Sequence, residues 1–297
     1  MFSHMQKFWF LILFAAAVSS SAHAESGFFD LTDATPAVVA RAWPAVFSYI
    51  GPQDDGMTSM GSFSFVGTKT ENGQTYAYFL GNDHVIDGSC LNVGKPCNTG
   101  SILVQDMQII PPRDERPNAK IKKRPFSHFG TISGLAFHDP ELVRDSKNPD
   151  LALLRAKVDK KMVLPKPIEI ARMCNFIRPG TNTYAIGFPD LMKRQMWESP
   201  IPVNAKILHK RWSDGVILRG LIYASDMGPV VAMITSTDLL PGSSGGPILD
   251  NTGFQVGVAV AMPKTATYQY VSNDEGHGKV VPCEYLWPFV SEALMTF

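Results

Sequence analysis

Short apolar runs, and runs in which apolar and polar residues alternate, are separated by turn residues along most of the chain. This pattern is typical of many small β-strands, so it predicts an all-β protein. The runs 62–66 and 76–80 flank Asn72-Gly73, and because Asn-Gly suits the positive φ angles of a tight turn, they predict a β-hairpin. Asp214-Gly215 and Thr252-Gly253 lie between strand-like runs in the same way, which predicts two more turns.

Two segments have a helical period. One is the short stretch 36–43, and the other is the C-terminus, where one face collects Leu286, Phe289, Val290, Ala293, Leu294 and Phe297. Pro288 is predicted to lie in the first turn of the terminal helix. The stretch 111–149 is rich in Pro, Lys and Arg, which predicts an extended, solvated surface loop.

The N-terminus has the pattern of a signal peptide. Lys7 precedes an apolar run from Phe8 to Val18, and Ala22-His23-Ala24 has the small-x-small form of a cleavage site. Since the run is shorter than the roughly 20 residues that span a bilayer, we expect cleavage and not an anchor. Residues 1–24 are therefore predicted to be removed from an exported protein that is periplasmic or secreted.

The composition narrows the choice of partners. The chain has 297 residues, 45% of them hydrophobic, and its 27 basic and 27 acidic side chains balance. Such a chain is globular, and it has no net charge with which to attract nucleic acid or an anionic membrane. We therefore expect neither partner.

Four cysteines and an exported location make disulfides possible. Three pairings exist, and the sequence alone does not decide among them, although proximity favours Cys90 with Cys97, which leaves Cys174 with Cys283. No CxxC pair and no close histidine spacing indicates a metal, so we expect no metal and no cofactor.

A serine hydroxyl needs a base to accept its proton and donors to stabilise the oxyanion that forms when it attacks a carbonyl. The segment 242–247, Gly-Ser-Ser-Gly-Gly-Pro, is a turn with few side chains in which backbone N–H groups can converge. Ser244 is the candidate nucleophile, and the N–H groups of Gly242 and Ser244 are the candidate oxyanion donors.

Two other segments supply the remaining groups. His84 follows an apolar strand in Gly81-Asn82-Asp83-His84-Val85, where its imidazole can act as general base and then general acid. Asp150 begins the run Asp150–Leu154, where its carboxylate can accept the other imidazole N–H and fix the tautomer. Each motif is weak alone, whereas the order His84, Asp150, Ser244 is specific.

At these three motifs the sequence resembles the trypsin-like serine proteases, especially their bacterial HtrA-like and glutamyl-endopeptidase-like branches. The resemblance covers roughly residues 45–297 and includes 184–189 and the strand-like run 256–260. It implies two six-stranded antiparallel β-barrels and a C-terminal helix, without a PDZ domain. The first half, 25–160, would carry His84 and Asp150, and the second half, 161–297, would carry Ser244.

The resemblance also bears on specificity. Asp238 lies six residues before Ser244, the spacing of trypsin's pocket-base aspartate, so it is a candidate for binding Lys or Arg beside the cut bond. Ala259 and Val260 are predicted to pair with the substrate. A glutamyl endopeptidase would have a pocket histidine where Ala259 stands, which argues against acidic specificity. Ser243 replaces trypsin's activating aspartate, which argues against activation by a freed N-terminus.

Two other functions fit parts of the sequence. Gly242-x-Ser244-x-Gly246 also satisfies the nucleophile elbow of an α/β-hydrolase esterase, with Asp274 and His277 as later partners, but that fold requires strand-helix alternation. The protease fold could instead serve as a binding or adhesion module without turnover. The expected partners are protein or peptide substrates, and the sequence does not predict an oligomeric state.

Overall fold

The computed structural model describes residues 28–52, 58–87, 92–97, 100–109, 130–174, 176–189, 207–208, 210–224, 230–260 and 278–295. The predicted signal peptide and Cys90 lie outside these residues, as do Asp274 and His277. Among the described helices, none has the length and apolarity needed to cross a membrane.

Strands of the first half form one antiparallel sheet. Their order is β5-β4-β1-β2-β3-β7-β6, and the short β9 pairs with β4 to make eight strands. Their bounds are Val46–Pro52 (β1), Thr58–Glu71 (β2), Gln74–Gly81 (β3), Ile102–Ile109 (β4), Gly130–His138 (β5), Glu141–Lys147 (β6), Asp150–Lys157 (β7) and Ile207–Leu208 (β9).

Strands of the second half form a closed six-stranded barrel in the order β10-β11-β14-β13-β12-β8. Their bounds are Asn182–Gly187 (β8), Arg211–Ala224 (β10), Val230–Thr235 (β11), Pro247–Asp250 (β12), Gln255–Val260 (β13) and Gly278–Pro282 (β14). The all-β prediction is confirmed. The second half has the predicted six strands. The first-half sheet has eight in place of six, because it contains seven strands from the first half and β9, from later in the chain, which pairs with residues 107–108 of β4.

Both predicted helices are present. Helix α1 spans Ala37–Ala42 and continues into a 3-10 turn at Trp43–Ala45, and the terminal helix α3 spans Cys283–Leu294. Pro288 lies inside α3 and not in its first turn, because the helix begins directly after β14 at Cys283. Cys283 forms the predicted disulfide with Cys174. The predicted Cys90–Cys97 pair lies partly outside the described residues.

The turn predictions have mixed outcomes. Asn72 and Gly73 have φ angles of 51° and 79° between β2 and β3, and Gly253 has a φ of 95° between β12 and β13, so these two turns are confirmed. The predicted turn at Asp214-Gly215 is wrong, because both residues lie within β10 and pair with β8. Glycine is needed there for a close approach, since a Cβ at Gly215 would collide with the backbone of Thr237.

The predicted surface loop at 111–149 is wrong in its second part. Residues 130–147 form β5 and β6, with the apolar Phe137 and Leu142 buried in the first core. The Pro- and Lys-rich composition that suggested a loop belongs to residues 111–129, which lie outside the described residues.

Each half has its own core, and β2 separates them. Phe63 and Phe65 of β2 join the first core, where the ring centroids of Phe47 and Phe79 are 5.1 Å apart. Ser62 and Ser64, which alternate with these phenylalanines, are also fully buried, because they contact the second half: Ser64 Oγ donates to Gln255 Oε1 at 3.0 Å. The two faces of one strand therefore join the two halves, and the candidate site lies along this junction.

Candidate active site

The register of β3 and β7 brings His84 and Asp150 together. These strands are antiparallel, with Leu80 opposite Leu153 and Gly81 opposite Ala152. The end of β3 therefore lies beside the start of β7, where Asp150 stands. His84 lies in the one-turn helix α2, Asp83–Ile86, which follows β3 directly.

Two bonds from the Asp150 carboxylate hold His84. Oδ2 lies 2.5 Å from the imidazole Nδ1, and Oδ1 accepts the main-chain N–H of His84 at 2.9 Å. Asn82 Nδ2 donates to the carbonyl of Asp150 at 2.8 Å, which ties α2 to the start of β7 a third time. The imidazole side chain is 47% exposed, so its outer nitrogen can reach a bound molecule.

The carboxyl group of Asp83, beside His84, is buried. Burial raises its pKa to about 6, with additional contributions from the negative charges of Asp145, Asp150 and Asp87 and an opposing one from Lys147. A carboxyl whose pKa is higher in the folded state binds more protons there than when unfolded, so its ionisation destabilises the fold.

We expect Asp83→Asn to be more stable than the wild type above pH 6, by roughly 2 kcal/mol, and equal to it below pH 4. The wild type should lose this stability as the pH rises from about 4, where an unfolded aspartate titrates, to about 6, where the folded one does. Urea unfolding at pH 4 and pH 7 measures the difference. Asp87→Asn, at an exposed acid of the same segment, is the control and should show no comparable gain.

The segment before Ser244 forms a tight turn. Ser243 N donates to Leu240 O at 2.8 Å, and Gly242 has a φ of 92°. Proline at the second position and a positive-φ glycine at the third are the features of a type II turn, and they fix the plane of the Pro241–Gly242 peptide. The direction of the Gly242 N–H, one of the two predicted oxyanion donors, is thereby set by the turn.

Hydrogen bonds to the fold also fix the next two peptides. The carbonyl of Ser243 accepts from Gly246 N at 3.0 Å, which orients the Ser244 N–H on the same peptide. The carbonyl of Ser244 accepts from Ser62 N at 2.7 Å, and Gly245 N donates to Ala259 O at 2.8 Å. The main chain around Ser244 is thus held on both sides.

The Ser244 turn packs directly against the residues that flank His84. A Cβ at Gly61 would collide with Val85 and lie 3.1 Å from the carbonyl oxygen of Ser244. A Cβ at Gly245 would collide with the carbonyl of Ser62 and lie 3.1 Å from Asn82 N. The structure therefore brings the three predicted segments to one place, and it does so through glycines that allow close approach.

One residue at this junction was missed in the sequence. Ser62, on β2 of the first sheet, is fully buried, and its Oγ donates to Gly242 O at 2.6 Å. The same oxygen accepts from Phe188 N at 3.0 Å. The available signal was the pattern Ser-Phe-Ser-Phe in a strand, where buried serines alternate with buried aromatic residues.

Ala259 and Val260 lie at the end of β13. Ala259 N donates to Gly246 O at 2.9 Å and Ala259 O accepts from Gly245 N, so both main-chain groups hold the Ser244 turn. Substrate binding by Ala259 and Val260 stays a prediction.

The predicted specificity residue Asp238 is partly buried, and its carbonyl accepts from Ser213 Oγ at 2.9 Å. Leu239, the next residue, packs against β14, where a Cβ at Gly278 would collide with it. Within the described residues, one group of three potential metal ligands occurs, Cys174, Cys283 and Glu284, and both of its sulfur atoms are in the disulfide.

Comparison with known proteins agrees with this geometry. Residues 65–258 match a family model described as a trypsin-like peptidase domain. Two similar solved structures are a serine-to-alanine variant of the HtrA-type protease AlgW with a tripeptide and the HtrA-type protease AlgW with a tripeptide. Both are 23% identical to this chain, with TM-scores of 0.50 and 0.48.

The two alignments cover 86% and 87% of this chain but 62% and 64% of those structures. This chain therefore spans less than two thirds of either one. The first likeness establishes the fold. The comparison with curated proteins finds no match.

Proposed function

Since this chain belongs to the family of trypsin-like peptidase domains, we propose that it is an exported serine endopeptidase that uses Ser244, His84 and Asp150. The observation that carries the proposal is the pair of bonds from Asp150 to His84, combined with a glycine-lined contact between the His84 segment and the Ser244 turn. This arrangement supplies a base, an orienting carboxylate and a nucleophile in trypsin-like order.

In the proposed reaction, the Ser244 hydroxyl attacks the peptide carbonyl carbon while its proton passes to the outer nitrogen of His84. The imidazolium then gives that proton to the departing amine, which leaves an acyl-enzyme. Water attacks the acyl carbon while His84 takes its proton, and His84 then returns that proton to Ser244 Oγ as the ester bond breaks and the second product leaves. Asp150 holds the imidazole in the correct tautomer and stabilises its positive charge.

Stabilisation of the oxyanion is assigned to the N–H groups of Gly242 and Ser244. The type II turn and the bonds of the following peptides support this assignment, because donors fixed in advance need no rearrangement during reaction. A glycine at 242 is consistent with it, since the turn requires a positive φ at that position.

Export is proposed from the signal-like N-terminus and is supported by the Cys174–Cys283 disulfide, because such bonds persist in oxidising compartments. We infer protein or peptide substrates from the family, and the HtrA-type structures hold a tripeptide.

Basic specificity through Asp238 gives a second test. On a peptide library, we expect Asp238→Ser to abolish a preference for Lys or Arg beside the cut bond while leaving the hydrolysis of other peptides intact. The wild type is profiled in parallel. If it shows no basic preference at all, the proposed role of Asp238 is wrong, and Leu239, which packs on Gly278, becomes the residue to vary.

The esterase alternative is overturned by the fold. An α/β-hydrolase elbow lies between a strand and a helix, whereas the Ser244 turn leads into β12 of an antiparallel barrel. The binding-module alternative predicts a protein that is folded but does not react at Ser244. The proposal and this alternative therefore differ in a single measurable property.

A fluorophosphonate probe separates them. We expect it to label the mature protein at Ser244, as located by mass spectrometry of the labelled peptide, and we expect Ser244→Ala and His84→Ala to remain unlabelled. Peptide hydrolysis should be lost in the same two variants. Equal labelling of the wild type and Ser244→Ala, or a folded wild type that neither labels nor cleaves, would overturn the proposed function.

A further inference from the structure

Ser62 connects the two halves of the protein at the Ser244 turn. It lies on β2, in the first sheet, yet three of its hydrogen bonds go to the second half. Its N–H donates to Ser244 O at 2.7 Å, its hydroxyl donates to Gly242 O at 2.6 Å, and the hydroxyl oxygen accepts from Phe188 N at 3.0 Å.

We propose that Ser62 is a positioning residue that keeps the oxyanion turn in its reactive conformation through the bond from its hydroxyl to the carbonyl of Gly242. This inference rests on the proposed function, since it assigns Gly242 and Ser244 as oxyanion donors. Ser62 would act through the turn and not directly on the substrate.

The effect follows from the planarity of the peptide unit. The Gly242 carbonyl and the Ser243 N–H belong to one peptide, and that N–H closes the turn on Leu240 O at 2.8 Å. Holding the carbonyl therefore also holds the N–H on Leu240, and the closed turn sets the direction of the Gly242 N–H. Without the hydroxyl, one side of this peptide is released.

The surrounding packing makes the hydroxyl hard to replace. Ser62 is fully buried, and a Cβ at Gly187 would lie 2.9 Å from Ser62 Oγ and 3.2 Å from the Cα of Ser243. The segment at Gly187 therefore packs closely against both Ser62 and Ser243, which leaves little room for a water molecule to substitute for the hydroxyl. Alanine at position 62 would leave the Gly242 carbonyl and the Phe188 N–H without this partner.

Ser64 offers a matched control two residues along the same strand. It is also fully buried, and its hydroxyl also crosses to the second half, where it donates to Gln255 Oε1 at 3.0 Å. That bond does not involve the Ser244 turn. The Ser64 hydroxyl also lies 3.2 Å from Leu80 O of β3. Ser64→Ala therefore reports the loss of buried hydrogen bonds away from the turn, and Ser62→Ala reports a comparable loss plus any effect on the turn.

The experiment measures kcat and KM of Ser62→Ala and Ser64→Ala on a peptide that the wild type cleaves, together with thermal unfolding. We expect Ser62→Ala to lower kcat by roughly 10- to 100-fold, less than the loss of a direct oxyanion donor, with KM within about twofold of the wild type. Ser64→Ala should keep kcat within about threefold, although both variants lose stability.

A second readout separates positioning from folding. A peptide aldehyde forms a tetrahedral adduct whose oxygen needs the oxyanion donors, whereas the uncleaved peptide bound to Ser244→Ala does not. Ser62→Ala should weaken the aldehyde by the same factor as kcat, and adding it to Ser244→Ala should leave peptide affinity unchanged. Ser62→Cys, which keeps a weak donor, should give an intermediate kcat, and it carries the test if Ser62→Ala does not fold.

The outcomes are distinguishable. If the wild type is active through Ser244 and Ser62→Ala retains its kcat, the inference about Ser62 fails and the proposed function stands. Equal losses in Ser62→Ala and Ser64→Ala, or equal losses in peptide and aldehyde affinity, would also overturn the inference by showing a general structural role. A wild type without Ser244-dependent activity removes the proposed function itself.

Discussion

Replacement of Ser244 by alanine is expected to lower kcat for peptide hydrolysis by about 10⁶-fold, the loss found when the nucleophile of another serine protease is removed. The expected loss is this large because the base and the orienting carboxylate have no other group to activate. The oxyanion donors remain in place, so a residual rate of roughly 10³–10⁴ over uncatalysed hydrolysis should survive. Peptide hydrolysis by Ser244→Ala is compared with that by the wild type, whose active sites are counted by fluorophosphonate titration, and with the uncatalysed rate in buffer, which together give both quantities.

The neighbouring Ser243 provides the control for this measurement. It is buried in the same turn, and its Oγ accepts a long 3.4 Å bond from Leu240 N. Ser243→Ala should keep kcat within about tenfold of the wild type, since its main-chain bonds carry the turn. The reverse result, with Ser244→Ala active and Ser243→Ala inactive, would show that Ser243 is the nucleophile and would refute the proposed triad.

Much of this site could be predicted because its parts are local. His84 and Asp150 lie at strand ends, and Pro241 and Gly242 are residues typical of the turn that precedes Ser244. An apolar run predicts where a strand ends, and proline followed by glycine predicts a type II turn. The register of β3 with β7, which joins His84 to Asp150, is a tertiary property that the separate motifs only suggest.

The missed features depend on what faces a residue across the fold. Gly215 reads as a turn glycine, but it is required by the approach of Thr237 from elsewhere in the chain. From sequence alone, Lys210 would be expected to lie on the surface. In the fold its amine donates to Trp43 O at 2.9 Å, and burial lowers its pKa to about 7. Ser62 reads as one strand serine among several. Local propensity carries no information on such distant partners.

Asp150→Asn is expected to lower kcat by about 10⁴-fold. The carboxylate accepts from two donors at once, His84 N on Oδ1 and the imidazole Nδ1 on Oδ2. An asparagine has a single oxygen, so one of these donors must face its NH₂ group. Either α2 loses its anchor at His84 N, or the imidazole adopts the tautomer in which its outer nitrogen carries the proton and cannot act as a base.

The loss in Asp150→Asn should appear in kcat and in the rate of fluorophosphonate labelling, with little change in KM. Asp145→Asn is the matched control, because it removes one negative charge from the neighbouring strand β6, and Asp145 has no described bond to His84. Its kcat should remain within about threefold of the wild type, since a nearby charge without a hydrogen bond does not fix the tautomer. Equal losses in the two variants would mean that Asp150 acts only through its charge, and the orienting role would then be wrong.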